Sequence, residues 1–127
     1  MGWDVSRKKL LTYEGHERWH TIGTEGALSL YESLKHYRGA YKQCHPYLNG
    51  CGLHDPLAAV AAIHPEILTT IPMHLTCFTE GPLRGRTTED GWRCNDPEYS
   101  MKSAMLVDLK AFQNEFFGKV EAMLRNH

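Results

Sequence analysis

The run Asp55-Pro56-Leu57-Ala58-Ala59-Val60-Ala61-Ala62-Ile63 constrains this chain more than any other stretch, because after its first residue it carries no polar side chain. A short helix that is apolar on nearly every side needs cover on nearly every side. The fold must therefore set this segment against something large. Its ends are sharp. Asp is a preferred N-cap and Pro is favoured at the first helical position, while His64-Pro65 stops the run. Asp55 thus reads as the cap of this helix.

The flanking sequence supplies the possible cover. From Thr24, a plausible N-cap, the residues Ala27, Leu30, Tyr31, Leu34, Tyr37 and Tyr41 recur at three- and four-residue spacings, which predicts an amphipathic helix ending before His45-Pro46. The loop after it holds Asn49-Gly50 and Gly52, glycines suited to turn geometry and close backbone approach. Pro72 to Thr79 reads as a strand, with Met73, Leu75 and Cys77 on one face and His74 and Thr76 on the other. A turn-rich excursion over residues 81–100 follows. Residues 103–108 read as a short inner strand, and Asp108 caps a closing helix with Leu109, Phe112, Phe116, Val120, Met123 and Leu124 on one face. Residues 1–12 are compatible with either a strand end or a helix start. Helix and strand alternate, so the class is α/β. Two or three convincing strands are few for an open sheet, which suggests part of a larger layer.

Composition removes several function classes. The 127 residues suffice for one domain with a core of its own. Fourteen basic and 15 acidic residues are evenly spread for a net charge of -1, so nothing marks a nucleic-acid or membrane partner. No apolar run approaches the roughly 18 to 20 residues of a membrane span, and the N-terminal residues lack a signal-peptide core. A soluble, cytoplasmic protein is expected. Cys44, Cys51, Cys77 and Cys94 are widely spaced without a Cys-x-x-Cys pair, which favours free thiols.

The residues with chemical potential gather around the apolar run. His54 reads either as a solvated loop residue or as a tunable acid beside a helix N-terminus. Asp55 can cap a helix, bind a metal, or both. Tyr37 and Tyr41 read equally as core packing or as a platform for a flat ligand. Cys44, Cys51 and His54 could offer zinc donors, although Cys-x6-Cys-x2-His is looser than the usual paired spacing.

Several ordered blocks together resemble the C-terminal signature of the inosine-uridine preferring nucleoside hydrolases. They are His54 to Ala58, then His64-Pro65-Glu66, then Gly81-Pro82-Leu83-Arg84-Gly85-Arg86-Thr87. Upstream, Gly2 to Thr12 is similar to the family's Gly-x-Asp-Val-Thr-x-x-x-Leu-Leu-Thr segment. The resemblance implies a Rossmann-like open sheet with flanking helices. It also implies hydrolysis of the N-glycosidic bond of ribonucleosides to ribose and free base, with bound Ca²⁺. Carried over by position, it makes His54 the acid near the leaving base, Asp55 a calcium ligand, and Tyr37 and Tyr41 contacts to the base.

The departure from the family is equally specific. Its Asp-x-Asp-x-x-x-Asp-Asp motif, which supplies most calcium ligands and the general base, is absent, since Asp4, Asp55, Asp90, Asp96 and Asp108 do not share that spacing. Calcium takes roughly six to eight oxygens, so Asp55 alone cannot hold it. Residues 1–127 therefore read as the C-terminal portion of a nucleoside hydrolase domain, with a missing N-terminal half or a homo-oligomer as the expected partner. The alternative is a non-catalytic remnant, or a binding or assembly module of the same fold.

Overall fold

The computed structural model describes residues 1–99 and 101–126. In chain order the elements are α1 (Trp3–Ser6), β1 (Leu10–Leu11), α2 (Tyr13–His20), α3 (Glu25–Cys44), β2 (Cys51–Gly52), α4 (His54–Ile63), β3 (Leu68–Met73), β4 (Leu75–Cys77), β5 (Thr87–Glu89), β6 (Met101–Val107) and α5 (Leu109–Asn126). Single 3₁₀ turns at Pro65–Ile67 and Gly91–Arg93 link them. The strands form three antiparallel pairs, β1 with β2, β3 with β6, and β4 with β5. The helices flank these ladders, as the α/β pattern predicts.

The two long helices start where their caps lie. The Thr24 hydroxyl accepts from the Ala27 amide at 3.3 Å and donates to the Leu124 carbonyl at 2.5 Å, tying the start of α3 to the end of α5. Asp108 Oδ1 accepts from the amides of Lys110 and Ala111, both at 2.9 Å, and so caps α5. One core cluster joins β1, β2 and four helices through Leu11, Trp19, Ala27, Cys51, Leu57 and Phe112. Phe116 stacks on Phe112 at 5.6 Å, and Trp19 lies 6.0 Å from Phe117.

Four expectations need correction. First, Leu53, not Asp55, is the N-cap of α4, and no side-chain capping bond forms there. The Leu53 amide is engaged by the Lys9 carbonyl while its own carbonyl accepts from Leu57, so the chain leaves the β1–β2 ladder directly into helix. Asp55 then falls inside the first turn. Second, the predicted strand begins at Leu68 and breaks at His74. At that break the imidazole turns inward, 3% exposed, with Nε2 donating to the Asp96 carbonyl at 3.0 Å, while Cys77 faces solvent. Third, β6 pairs with β3 alone among the described strands, so it is an outer rather than an inner strand. Fourth, Met123 lies off the buried face of α5, at 51% exposure. The apolar α4 fully buries only Leu57 and leaves Ile63 72% exposed, the open side that part of a larger layer would show.

Candidate active site

Strand β2 is two residues long, yet it places the site. Leu10 lies opposite Gly52 and Leu11 opposite Cys51, and α4 starts within two residues of that ladder. His54 is thereby delivered from a fixed point. Gly50 permits the approach: its φ is 142°, and a side chain there would collide with the Leu11 carbonyl.

His54 bridges two segments distant in sequence. Its Nδ1 lies 2.8 Å from the Ser6 hydroxyl on α1, and its Nε2 lies 2.8 Å from the Tyr41 hydroxyl on α3. Ser6 is buried. One turn before Tyr41, Tyr37 meets it edge to face at 5.0 Å between ring centroids and donates its hydroxyl to the Gly52 carbonyl at 3.1 Å. Burial, and after it a hydrogen bond with Tyr41, hold the Tyr37 phenol above its ordinary 10.0. Tyr37 is therefore a protonated donor at neutral pH.

Gly52 supplies the space for this arrangement. A β-carbon on it would sit 2.5 Å from His54 Nε2 and 2.7 Å from the Tyr41 hydroxyl. Only a residue without a side chain lets those two atoms meet there. Beside them opens a pocket of about 510 Å³, walled by Leu34, Tyr37, Gly52, His54, Asp55 and Pro56 among others. An apolar wall with a few converging polar groups is the make-up of a small-molecule site. A second aromatic layer backs it: His45 lies 5.3 Å from the Tyr41 ring and 3.3 Å from the Tyr47 hydroxyl, which also accepts from Arg7 at 3.0 Å.

The structure thus brings His54, Tyr37 and Tyr41 together, and sets Asp55 on the same pocket with its side chain exposed. Sequence reasoning missed Ser6, which is 48 positions from His54 and carries no periodic signal, and it read Gly52 only as a close-approach glycine.

The donor set does not fit calcium by itself. Asp55 brings one carboxylate, and among the described residues no group of three or more His, Cys, Asp or Glu side chains could hold a metal ion. The zinc reading lacks donors as well. The Cys51 thiol is buried against the Leu11 carbonyl at 3.9 Å, burial pushes its pKa up, and Cys44 is exposed at the end of α3.

The model of the inosine-uridine preferring nucleoside hydrolases matches residues 1–114. A purine-preferring ribonucleoside hydrolase from Gardnerella vaginalis superimposes with a TM-score of 0.91 at 39% identity, over 99% of this chain and 40% of the other. A plant nucleoside hydrolase matches with a TM-score of 0.68 at 18% identity, over 88% of this chain and 37% of the other, which speaks for the fold alone. No curated protein sequence matches. The chain spans about two fifths of the length of these solved structures. Their α/β architecture, an open sheet with flanking helices, is the one expected above. On the match over residues 1–114, which takes in both Ser6 and His54, this chain belongs to the inosine-uridine preferring nucleoside hydrolase family.

Proposed function

We propose that this chain carries the leaving-group side of a ribonucleoside hydrolase site, with His54 as general acid and Tyr37 and Tyr41 around the base. The observation that carries the reading is the open pocket walled by His54 and Tyr37, with Tyr41 in contact with both side chains. The 39% identity to a hydrolase described as purine-preferring makes a purine ribonucleoside the first substrate to test.

Hydrolysis breaks the bond between ribose C1′ and a base nitrogen. The bonding pair leaves with the base, positive charge develops on the ribosyl ring, and water adds at C1′ to give ribose. Departure is easier when the base takes up a proton as it leaves. His54 lines the pocket and can supply that proton from its imidazole. Tyr37, its hydroxyl proton held by the Gly52 carbonyl, offers an aromatic edge to the base. Water activation needs a base, and Asp55 is the one carboxylate among the described residues lining the pocket. We assign Asp55 instead to the rim of a calcium site completed by ligands from other segments.

The test is made on this chain assembled with the complementary part of a related hydrolase. His54→Ala should lower turnover of inosine by about 10²- to 10⁴-fold and that of a nitrophenyl riboside far less, because an activated leaving group needs no proton. Equal losses on both substrates would remove His54 from the acid role. Asp55→Ala should weaken calcium binding and depress both substrates alike, whereas undiminished calcium affinity would remove it from the ligand set.

A further inference from the structure

α3 is 20 residues long, yet Ala27 alone of them is fully buried, and Leu30, Leu34 and Tyr41 pack only partly against the core. Polar contacts on its flanks therefore weigh heavily in holding it. On the pocket side these are the hydrogen bonds of Tyr37 to Gly52 and of Tyr41 to His54. On the side of α2 they converge on Arg38. Its Nη1 lies 2.9 Å from His16 Nδ1 and 2.7 Å from Glu17 Oε1, and its guanidinium carbon sits 5.2 Å from the centre of the Tyr13 ring. Tyr13, His16 and Glu17 follow one another at helical spacing on α2, so one guanidinium clasps a whole turn.

Both partners of His16 have a single role. A guanidinium only donates, so Nδ1 accepts from Arg38; a carbonyl only accepts, so Nε2 donates to Tyr31 at 3.0 Å. A second ring proton, on Nδ1, would set donor against donor and cation against cation at 2.9 Å, in a fully buried place. The other groups facing the ring are few. Glu17 is already shared between Arg38 and the Tyr31 hydroxyl at 3.1 Å, Glu32 is engaged by Lys35 at 3.3 Å, and His20 packs on Tyr31 at 4.6 Å. The two carboxylates favour a proton on His16, but burial together with Arg38 outweighs them and sets its pKa below 6.5.

We propose that His16 is a pH-operated latch between α2 and α3: neutral, it holds Arg38; protonated, it expels Arg38 and lets the half of α3 that carries Tyr37 and Tyr41 open locally. Arg38 follows Tyr37 directly and stands three residues before Tyr41, so loss of the clasp is felt where the pocket wall is built. That this regulates base binding rests on the hydrolase reading. The latch itself does not.

Hydrogen exchange of the whole chain, corrected for the intrinsic rate, is followed by NMR amide by amide from pH 7.5 to pH 5. Protection of residues 31–44 should fall relative to α5 by up to about tenfold for each pH unit below 6.5, until His16 is protonated in the closed form. His16→Gln, whose amide offers both an acceptor and a donor at every pH, should keep α3 protected throughout. Arg38→Met should speed its exchange already at pH 7.5 and remove the pH step. His20, His36 and His45 are unaltered in both variants, so the difference belongs to His16. Should a variant fail to fold, the unaltered chain decides alone: its His16 ring, read by ¹⁵N correlation and assigned through its contact with Tyr31, should carry its proton on Nε2 at pH 7.5 and titrate below 6.5. A dominant Nδ1–H tautomer of His16, a titration at or above 6.5, protection lost equally from α5, or a pH step that survives His16→Gln each overturns the proposal. Absent riboside turnover in the assembled protein would remove the hydrolase reading and leave these readouts in place.

Discussion

His16 is fully buried between α2 and α3 with both ring nitrogens engaged. Its Nε2 donates to the Tyr31 carbonyl at 3.0 Å, and its Nδ1 accepts from Arg38 at 2.9 Å. A guanidinium can only donate, so this contact exists only while His16 is neutral. Burial first, and the Arg38 charge with it, lower its pKa from 6.5, against the opposing pull of the Tyr31 carbonyl, Glu17 and Glu32. The unfolded chain therefore takes up a proton at higher pH than the folded one. The stabilisation is complete above the unfolded value of 6.5 and is lost as pH falls below it toward the folded value. Thermal midpoints measured from pH 8 to pH 5 should fall in the unaltered chain, and His16→Leu should flatten that fall even though it is less stable at pH 8. At the site, Gly52→Ala would thrust a methyl group between His54 and Tyr41. Overpacking of this kind costs about 1 to 3 kcal/mol, read by urea unfolding.

At the scale of elements, Asp108 shows what a cap is worth. Its carboxylate holds two amides at the start of α5. Asp108→Ala should lower unfolding free energy by about 1 kcal/mol, while Asp108→Asn should lose much less; equal losses would mean that the cap does not hold the helix. α3 and α5 were legible in the sequence because each combines a 3.6-residue apolar period with an identifiable cap. α2 was not, since Tyr13–His20 is mostly polar and buries only His16 and Trp19, although the Thr12 hydroxyl caps it on the Gly15 amide at 3.0 Å. β1 and β2 are two residues each, too short for a period of two to register. His74 falls opposite Met73 and Cys77 only if the strand is unbroken, and the break between β3 and β4 cancels that alternation. The site was half visible. Tyr37, Tyr41 and His54 lie within 18 positions and share local signals, whereas Ser6 reaches them only through tertiary folding.

Taken whole, the molecule leaves much apolar surface uncovered. Ala58, Ala59 and Ala62 are exposed beside Ile63 on α4, and Ile71, Met105 and Leu106 stand out from the β3–β6 ladder, Leu106 at 55% exposure. Exposed apolar surface of this kind promotes association. Sedimentation of the purified chain should show concentration-dependent oligomers, and Ala59→Glu with Ile63→Lys should shift them toward monomer; a monomer at every concentration would contradict this. The chain alone should release no ribose from inosine with calcium present, since among the described residues its pocket is lined by a single carboxylate and no group of three or more metal donors is found. Release that His54→Ala abolishes would reveal a water-activating group elsewhere. The short β1–β2 ladder has a temporal consequence. It joins residues 42 and 40 positions apart through two pairs, Leu10 with Gly52 and Leu11 with Cys51, whereas α3 and α5 are built from contacts a few positions long. Local contacts close fast and distant ones late. During refolding the helices should therefore be present while His54 still lacks its neighbours, which makes the ladder that carries the site among the last parts of the molecule to assemble.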